Sequence, residues 1–405
     1  MKTNAPYSKH SLTVLVSLLF SLLLACQIPF VIAQESFLNS DPLEGQAIFK
    51  AKGCQTCHAI RGQGGNVAKD LGWHEYYGSA LDLAKDLWNH SPIMAETMEE
   101  LHVPRPAFTV DEMGKVMTFL YYLRYLEKPG NVLNGKKLLS SKGCLSCHSV
   151  RGQGKMLAPR LDKLSYRISP LFMAEVMWNH GPAMEKKMRE VHIKWPEFKG
   201  DEIVELTNYL RILRKDSPTN EIYLRPGNPT QGKILLSSKG CLKCHALHGK
   251  GGQDGPDFST IDLNKSVTEL AGMMWNHGEK MMRSIRKRKM LWPKFEPGEM
   301  GDLIAYLYYV DFLQSNGDPG KGEEIFTTKG CKGCHVPKEG QSIGPDLLTF
   351  KGINSPVQMA QIMWNHAPVM AKKMQELNLE WPKFTRREIE NLYAFLSTKI
   401  IAHQH

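Results

Sequence analysis

Eight of the nine cysteines in this 405-residue chain fall into one motif that occurs four times. It reads Cys54-Gln-Thr-Cys57-His58, Cys144-Leu-Ser-Cys147-His148, Cys241-Leu-Lys-Cys244-His245 and Cys331-Lys-Gly-Cys334-His335. Two thiols at this spacing can bind zinc, cycle as a redox disulfide, or add to the vinyl groups of haem. Zinc needs partner ligands at matching spacing, and no segment between the pairs resembles a finger or ribbon. A thioredoxin-like pair would follow a strand in a βαβ unit, and no such alternation is present. Neither reading requires a histidine directly after the second cysteine. In the haem reading that imidazole ligates iron and the thiols become thioethers. The motif therefore predicts four covalent haem c groups, with His58, His148, His245 and His335 as iron ligands.

The residues around the motifs repeat as well, at intervals of 90, 97 and 90. Each unit opens with a glycine and a short apolar helix leading into the first cysteine: Gly45 to Gly53, Gly135 to Gly143, Gly232 to Gly240 and Gly322 to Gly330. A polar Gly-rich loop follows, such as Arg61-Gly62-Gln63-Gly64. A second helix ends in Ala-x-x-(Leu/Met)-Trp-Asn-His, at Ala84 to His90, Ala174 to His180, Ala271 to His277 and Ala360 to His366. An amphipathic helix closes each unit, as in Glu112 to Leu126 and Glu299 to Leu313. No unit shows sustained alternation of period two, so the fold class is all-α, with four tandem domains each wrapped around one haem. Their bounds are 41–129, 130–216, 230–315 and 318–405, with a linker at 217–229. Units of this size are small for one apolar core. A flat apolar cofactor, covalently tied, takes the place of missing side-chain core.

Linker chemistry gives an expectation about arrangement. Lys128-Pro129-Gly130-Asn131 and Asn316-Gly317-Asp318-Pro319-Gly320 are short, whereas the middle linker holds Pro218, Pro226 and Pro229. Prolines stiffen such a connection. The expected arrangement is two close pairs, units one with two and three with four, on a semi-rigid spacer; four units packed in a row is the alternative.

After about Asp41 the chain resembles four class I cytochrome c domains in tandem. The resemblance rests on the glycine-bearing first helix, the C-x-x-C-H, and an aromatic at a fixed place in the last helix: Phe119, Tyr209, Tyr306 and Phe395. It implies that the glycine lets the first and last helices cross closely against that aromatic. It also implies that a proline carbonyl holds the proximal imidazole; Pro159, Pro256 and Pro345 fit, while the first unit has Lys69. Class I domains present a sixth iron ligand from a Met-Pro-x-Phe segment. Here the segments are Arg105-Pro106-Ala107-Phe108, Trp195-Pro196-Glu197-Phe198, Trp292-Pro293-Lys294-Phe295 and Trp381-Pro382-Lys383-Phe384, so the methionine is replaced. The sequence offers three substitutes. The first choice is the methionine four residues after the Trp-Asn-His: Met94, Met184, Met281 and Met370. The others are that histidine itself (His90, His180, His277, His366) and a second methionine, Met98, Met188 and Met374, which unit three replaces with Ile285. Pro92, Pro182 and Pro368 are expected to start a new helix after the histidine. Trp88, Trp178, Trp275 and Trp364 are expected to pack on the porphyrin.

The amino terminus has Lys2 and Lys9, then an apolar run from Leu12 to Leu24, and Val31-Ile32-Ala33 before a potential cut. This reads as a signal peptide over 1–33, with a retained membrane anchor or a lipid-modified Cys26 as alternatives. All three place the body outside the cytoplasm, in the periplasm or its equivalent. The formal net charge of +10 is uneven. Unit one has 9 basic and 12 acidic residues, unit two has 16 and 9, the stretch from Arg225 to Ser315 that holds unit three has 13 and 9, and unit four has 11 and 9. Unit three concentrates Arg283, Arg286, Lys287, Arg288 and Lys289. Charged faces steer short-lived redox encounters. The expected partners are a donor and an acceptor protein, one with an acidic surface, with peripheral membrane association open and no nucleic acid. The expected function is an electron carrier, not an enzyme. The alternative is a haem enzyme or redox-complex subunit with one open iron, in unit one or three, acting on peroxide or a nitrogen oxide.

Overall fold

The computed structural model describes residues 41–73, 78–123, 130–163, 169–213, 227–261, 263, 265–313, 315–350 and 352–402. The leader at 1–33 and most of the linker at 217–229 lie outside these residues. The fold is mostly helical, and each unit contributes three long helices. Unit one has α1 (Pro42–Ala51), α2 (Ala80–Glu100) and α3 (Val110–Tyr122); unit two has α4 (Val132–Ser141), α5 (Pro170–Glu190) and α6 (Glu202–Leu213). Unit three has α7 (Pro229–Ser238), α8 (Val267–Lys287) and α9 (Glu299–Leu313); unit four has α10 (Pro319–Thr328), α11 (Pro356–Glu376) and α12 (Arg386–Ala402). Among the described residues no helix is long and apolar enough to cross a membrane. The only named strands there are two small hairpins, β1 (Ser149–Val150) with β2 (Gln153–Gly154) and β3 (Ala246–Leu247) with β4 (Lys250–Gly251). They are the Gly-rich loops. Arg151 and Gly152, or His248 and Gly249, take positive φ at both central turn positions, as a twisted two-residue hairpin requires.

Local signals explain the helix starts. Asp41, Asn131, Asn228 and Asp318 cap the first helix of their units with their side chains. Ser79, Ser169, Ser266 and Ser355 cap the second, with full capping boxes at Ser79/Asp82 and Ser266/Glu269. First and last helices cross closely in every unit, as the resemblance implies. A Cβ on Gly45, Gly135, Gly232 or Gly322 would overlap the carbonyl oxygen of Lys115, Glu205, Asp302 or Asn391, and would sit 2.6–2.9 Å from the Cβ of Phe119, Tyr209, Tyr306 or Phe395.

The second helix differs from expectation. It does not end at the Trp-Asn-His; it runs on to a total length of 21 residues in all four units, with Pro92, Pro182 and Pro368 inside it. An internal proline removes the hydrogen bond to the carbonyl four residues earlier. That carbonyl belongs to Trp88, Trp178 or Trp364, and each finds another donor in a different unit: Trp381 Nε1 at 3.2 Å, Trp292 Nε1 at 3.0 Å and Arg105 Nη2 at 3.5 Å. The helix survives because the freed acceptor is satisfied from outside. The second methionine position, Met98, Met188, Ile285 and Met374, lies at the helix end. Its carbonyl accepts from the residue just past a left-handed His102, His192, Lys289 or Asn378, which closes a Schellman motif.

Units pair across the chain, not along it. Unit one packs on unit four through α2 and α11, and unit two packs on unit three through α5 and α8. The expected pairing of one with two and three with four is therefore overturned. The two pairs meet where Tyr121 on α3 packs against Tyr308 and Phe312 on α9, with ring centroids 5.9 and 4.5 Å apart.

Candidate functional site

Each C-x-x-C-H sits on one helical turn that starts from a left-handed glycine, Gly53, Gly143, Gly240 or Gly330. The imidazole next to it is fixed by a backbone carbonyl. Nδ1 of His148, His245 and His335 lies 2.7, 3.0 and 2.9 Å from the carbonyl oxygen of Pro159, Pro256 and Pro345. Lys69 supplies the same carbonyl to His58 at 2.9 Å, so the contact uses backbone and does not need proline. With Nδ1 donating, Nε2 is left as the metal-binding nitrogen. Gly255 and Gly344 permit this approach: a Cβ on either would crowd the ring of His245 or His335.

The thiols are placed for thioethers better than for zinc. Burial pushes Cys54, Cys144, Cys241 and Cys331 up to about 11, which disfavours the thiolate that a metal takes. Among the described residues no three His, Cys, Asp or Glu side chains converge as metal ligands. In unit three a cavity of about 540 Å³ opens beside Cys241, Cys244 and His245, within the usual range for a cofactor pocket. Phe258 stacks on the His245 ring at 4.5 Å, and Met274, His277 and Met281 of α8 form the opposite wall. This donor set and apolar cavity fit a covalently attached haem, which when bound supplies a one-electron iron centre.

Across the cavity the Trp-Asn-His histidine approaches the proximal one. The ring centroids of His245 and His277 are 6.3 Å apart, and those of His335 and His366 are 5.8 Å apart. Burial holds His90, His277 and His366 below the ordinary imidazole range, and the facing His58, His245 and His335 add to it. His180 Nδ1 lies 2.8 Å from the Val176 carbonyl of its own helix. Met94, Met184, Met281 and Met370 are partly buried one turn further along the same helix.

The Trp-Asn pair has a role that the sequence did not reveal. Trp88, Trp178, Trp275 and Trp364 donate from Nε1 to the carbonyl of Pro382, Pro293, Pro196 and Pro106 at 2.7–2.8 Å. Asn89 clasps the backbone N–H and C=O of Phe384, Asn365 those of Phe108, Asn179 those of Phe295, and Asn276 those of Phe198. Every one of these bonds crosses between units, and each pair is reciprocal about a pseudo-twofold axis. The (Trp/Arg)-Pro-x-Phe segment that replaces Met-Pro-x-Phe is thus the receptor for a neighbour's Trp-Asn. The tryptophans bind the neighbouring unit; Trp178 does line a haem cavity, but it is that of unit three.

A second recurring cluster also escaped the sequence reading, although its signal was visible as Lys-Gly-Cys. Lys52, Lys142, Lys239 and Lys329 bridge to Glu112, Glu202, Glu299 and Glu388 at 2.6–3.0 Å. The same ammonium groups lie 5.3–5.9 Å from the ring centres of Phe108, Phe198, Phe295 and Phe384. They tie the haem turn to the last helix and to the segment that receives the neighbour.

No curated protein and no solved structure matches the chain. Residues 132–214 and 230–311 each match the family model for cytochrome c. The chain therefore carries cytochrome c domains, and with them the covalent haem c and the haem-based redox chemistry that such domains imply.

Proposed function

We propose that the protein is a tetrahaem c-type cytochrome that carries electrons between extracytoplasmic redox proteins. The observation that carries this reading is the fourfold recurrence of the same site: a thiol pair on one turn and an imidazole fixed through Nδ1 by a carbonyl 10 or 11 residues on. Units one and four have this geometry as fully as units two and three. Reciprocal packing of one with four and two with three brings the redox units together, and the aromatic contact of α3 with α9 joins the pairs. Outer-sphere transfer across such a body needs no substrate site. The haem count by alkaline pyridine spectrum and intact mass tests the reading. Four per chain is expected, and two would restrict the redox role to units two and three.

The partner reading is an acidic protein docking on units two and three. Their excess of basic residues supports it. Arg283, Arg286 and Arg288 are engaged with Glu279, Glu185 and Asp254, so the exposed Lys287 and Lys289 are the residues available to steer a partner. Reduction rates that fall steeply with ionic strength are expected; rates indifferent to salt would end this part of the reading. Carbon monoxide should leave the reduced spectrum unchanged in a carrier with six-coordinate iron, whereas binding to one haem would favour an enzyme.

A further inference from the structure

We infer that the sixth position of each haem iron is taken by the histidine of Trp-Asn-His, namely His90, His180, His277 and His366, and not by the following methionine. The inference rests on the proposed function only in requiring haem c at the C-x-x-C-H motifs. Two imidazoles that share one metal each place a nitrogen about 2 Å from it, and a ring nitrogen is about 1 Å from the ring centre, so their centroids lie about 6 Å apart. The separations of 6.3 Å for His245 and His277, and 5.8 Å for His335 and His366, agree with that value. The two rings of each pair are twisted by 59° and 64°, an angle that rotation about a shared metal axis allows.

Helix geometry weighs against the methionine at the same position. Met281 follows His277 by four residues, so its Cα is displaced by slightly more than one turn, about 6 Å, along α8. Met274 lies nearly a turn on the other side, and all three line the cavity. The histidine is central in that row and faces the proximal ring; the methionines flank it. Thioethers are suited to fill the irregular space at a cofactor's edge. Spacing extends the assignment to all four units. The histidine follows its proximal partner by 32 residues in units one to three and by 31 in unit four. In unit two the contact of His180 Nδ1 with the Val176 carbonyl leaves Nε2 for the iron, the same second-sphere device that holds the proximal ring.

A consequence follows for redox range. Methionine as axial ligand raises the potential of a c-type haem. Four bis-histidine sites place this protein below that range and match it to low-potential donors and acceptors.

The test is the ferric spectrum of the full-length holoprotein. The far-red band of methionine sulfur-to-iron charge transfer should be absent, and near-infrared magnetic circular dichroism should give the signature of bis-histidine iron. His277→Ala should convert one haem in four to a high-spin form that binds carbon monoxide when reduced. Added imidazole should restore the low-spin spectrum, which it would not do for a packing defect. Met281→Leu should leave all four haems low-spin. A far-red band in the wild type that loses a quarter of its intensity in Met281→Leu would overturn the inference. So would a His277→Ala protein with four low-spin haems. The wild-type spectrum decides the matter without any variant if the substituted chains fail to mature. Protein lacking covalent haem altogether would overturn the proposed function, and that failure is distinguishable from haem present with methionine ligation.

Discussion

The pair formed by units two and three and the pair formed by units one and four use the same six hydrogen bonds from Trp and Asn, yet fill the space around them differently. In the two–three pair, Trp178 stacks on Trp292 at 4.5 Å and Trp195 on Trp275 at 4.1 Å. Gly181 and Gly278 lie where the helices face these rings. In the one–four pair only Trp88 and Trp381 stack, at 4.3 Å. The other place holds Arg105, whose guanidinium lies 4.0 Å from the centre of the Trp364 ring. A guanidinium is planar and stacks as an indole does, but it needs acceptors for its N–H groups. Ser91 provides one at 2.8 Å, at the helix position where the two–three pair has glycine. Arg105 and Ser91 are therefore a matched departure. The hydrogen-bond clamp is the fixed part of the interface, and the stacked layer above it accepts any flat group whose polar edge is satisfied.

Cutting away one indole should have the largest effect. Trp178→Ala and Trp364→Ala each remove a buried ring and a clamp bond, and should cost about 3–5 kcal/mol in thermal unfolding of the holoprotein. Equal losses in both pairs would confirm that the clamp is shared; a loss confined to one pair would break the comparison. Next come Asn276→Ala, which removes the donor to the Phe198 C=O and the acceptor of its N–H, and Asn365→Ala, which removes the acceptor of the Phe108 N–H while Gln361 Nε2 still donates to the Phe108 C=O at 2.9 Å. The first should cost about 2–3 kcal/mol and the second about 1–2 kcal/mol by the same measurement.

The comparison is sharpened by exchanging its distinguishing residues. Burial already lowers the Arg105 guanidinium to about 10, so replacing it relieves a desolvation cost. Arg105→Trp combined with Ser91→Gly should restore the two–three arrangement and raise stability by roughly 1 kcal/mol. Arg105→Trp alone should gain less, because Ser91 then loses its partner.

The smallest effect concerns charge at the helix ends. Glu185 of unit two accepts from Arg286 of unit three at 2.9 and 3.2 Å, and the guanidinium holds its carboxyl below the ordinary glutamate range. A depressed carboxyl stabilises the fold above its unfolded value and loses that contribution as pH falls through its folded value. Glu185→Gln should therefore lower the unfolding free energy at neutral pH by less than about 1 kcal/mol, since Arg286 is half exposed. The difference from wild type should vanish in acid.

What was legible in the sequence was local or set by the repeat. The C-x-x-C-H turns, the close crossing at Gly45 and its equivalents, and the carbonyl behind the proximal imidazole all join residues within one unit. The pairing was not legible, because Trp88 and Pro382 are 294 residues apart and nothing in either segment names the other. The sequence alone points the tryptophans at the porphyrin, because an apolar ring beside a haem pocket has an obvious use. Their indole N–H groups need an acceptor when buried, and that requirement was the missed clue. Pro92, Pro182 and Pro368 misled for a similar reason: a proline ends a helix only if the carbonyl it frees stays unsatisfied, and here another unit satisfies it.

The order of the pairs bears on how the chain matures. Unit two meets its partner as soon as unit three follows it, whereas unit one must wait until unit four has been made. The contacts close like nested brackets, inner before outer. Domains tend to fold in the order in which they emerge. Unit one then keeps Trp88 and Asn89 unsheltered until unit four is made. A chain that stops before unit four would leave that face open, with an apolar ring and an unpaired amide on display to any protease or chaperone that meets it.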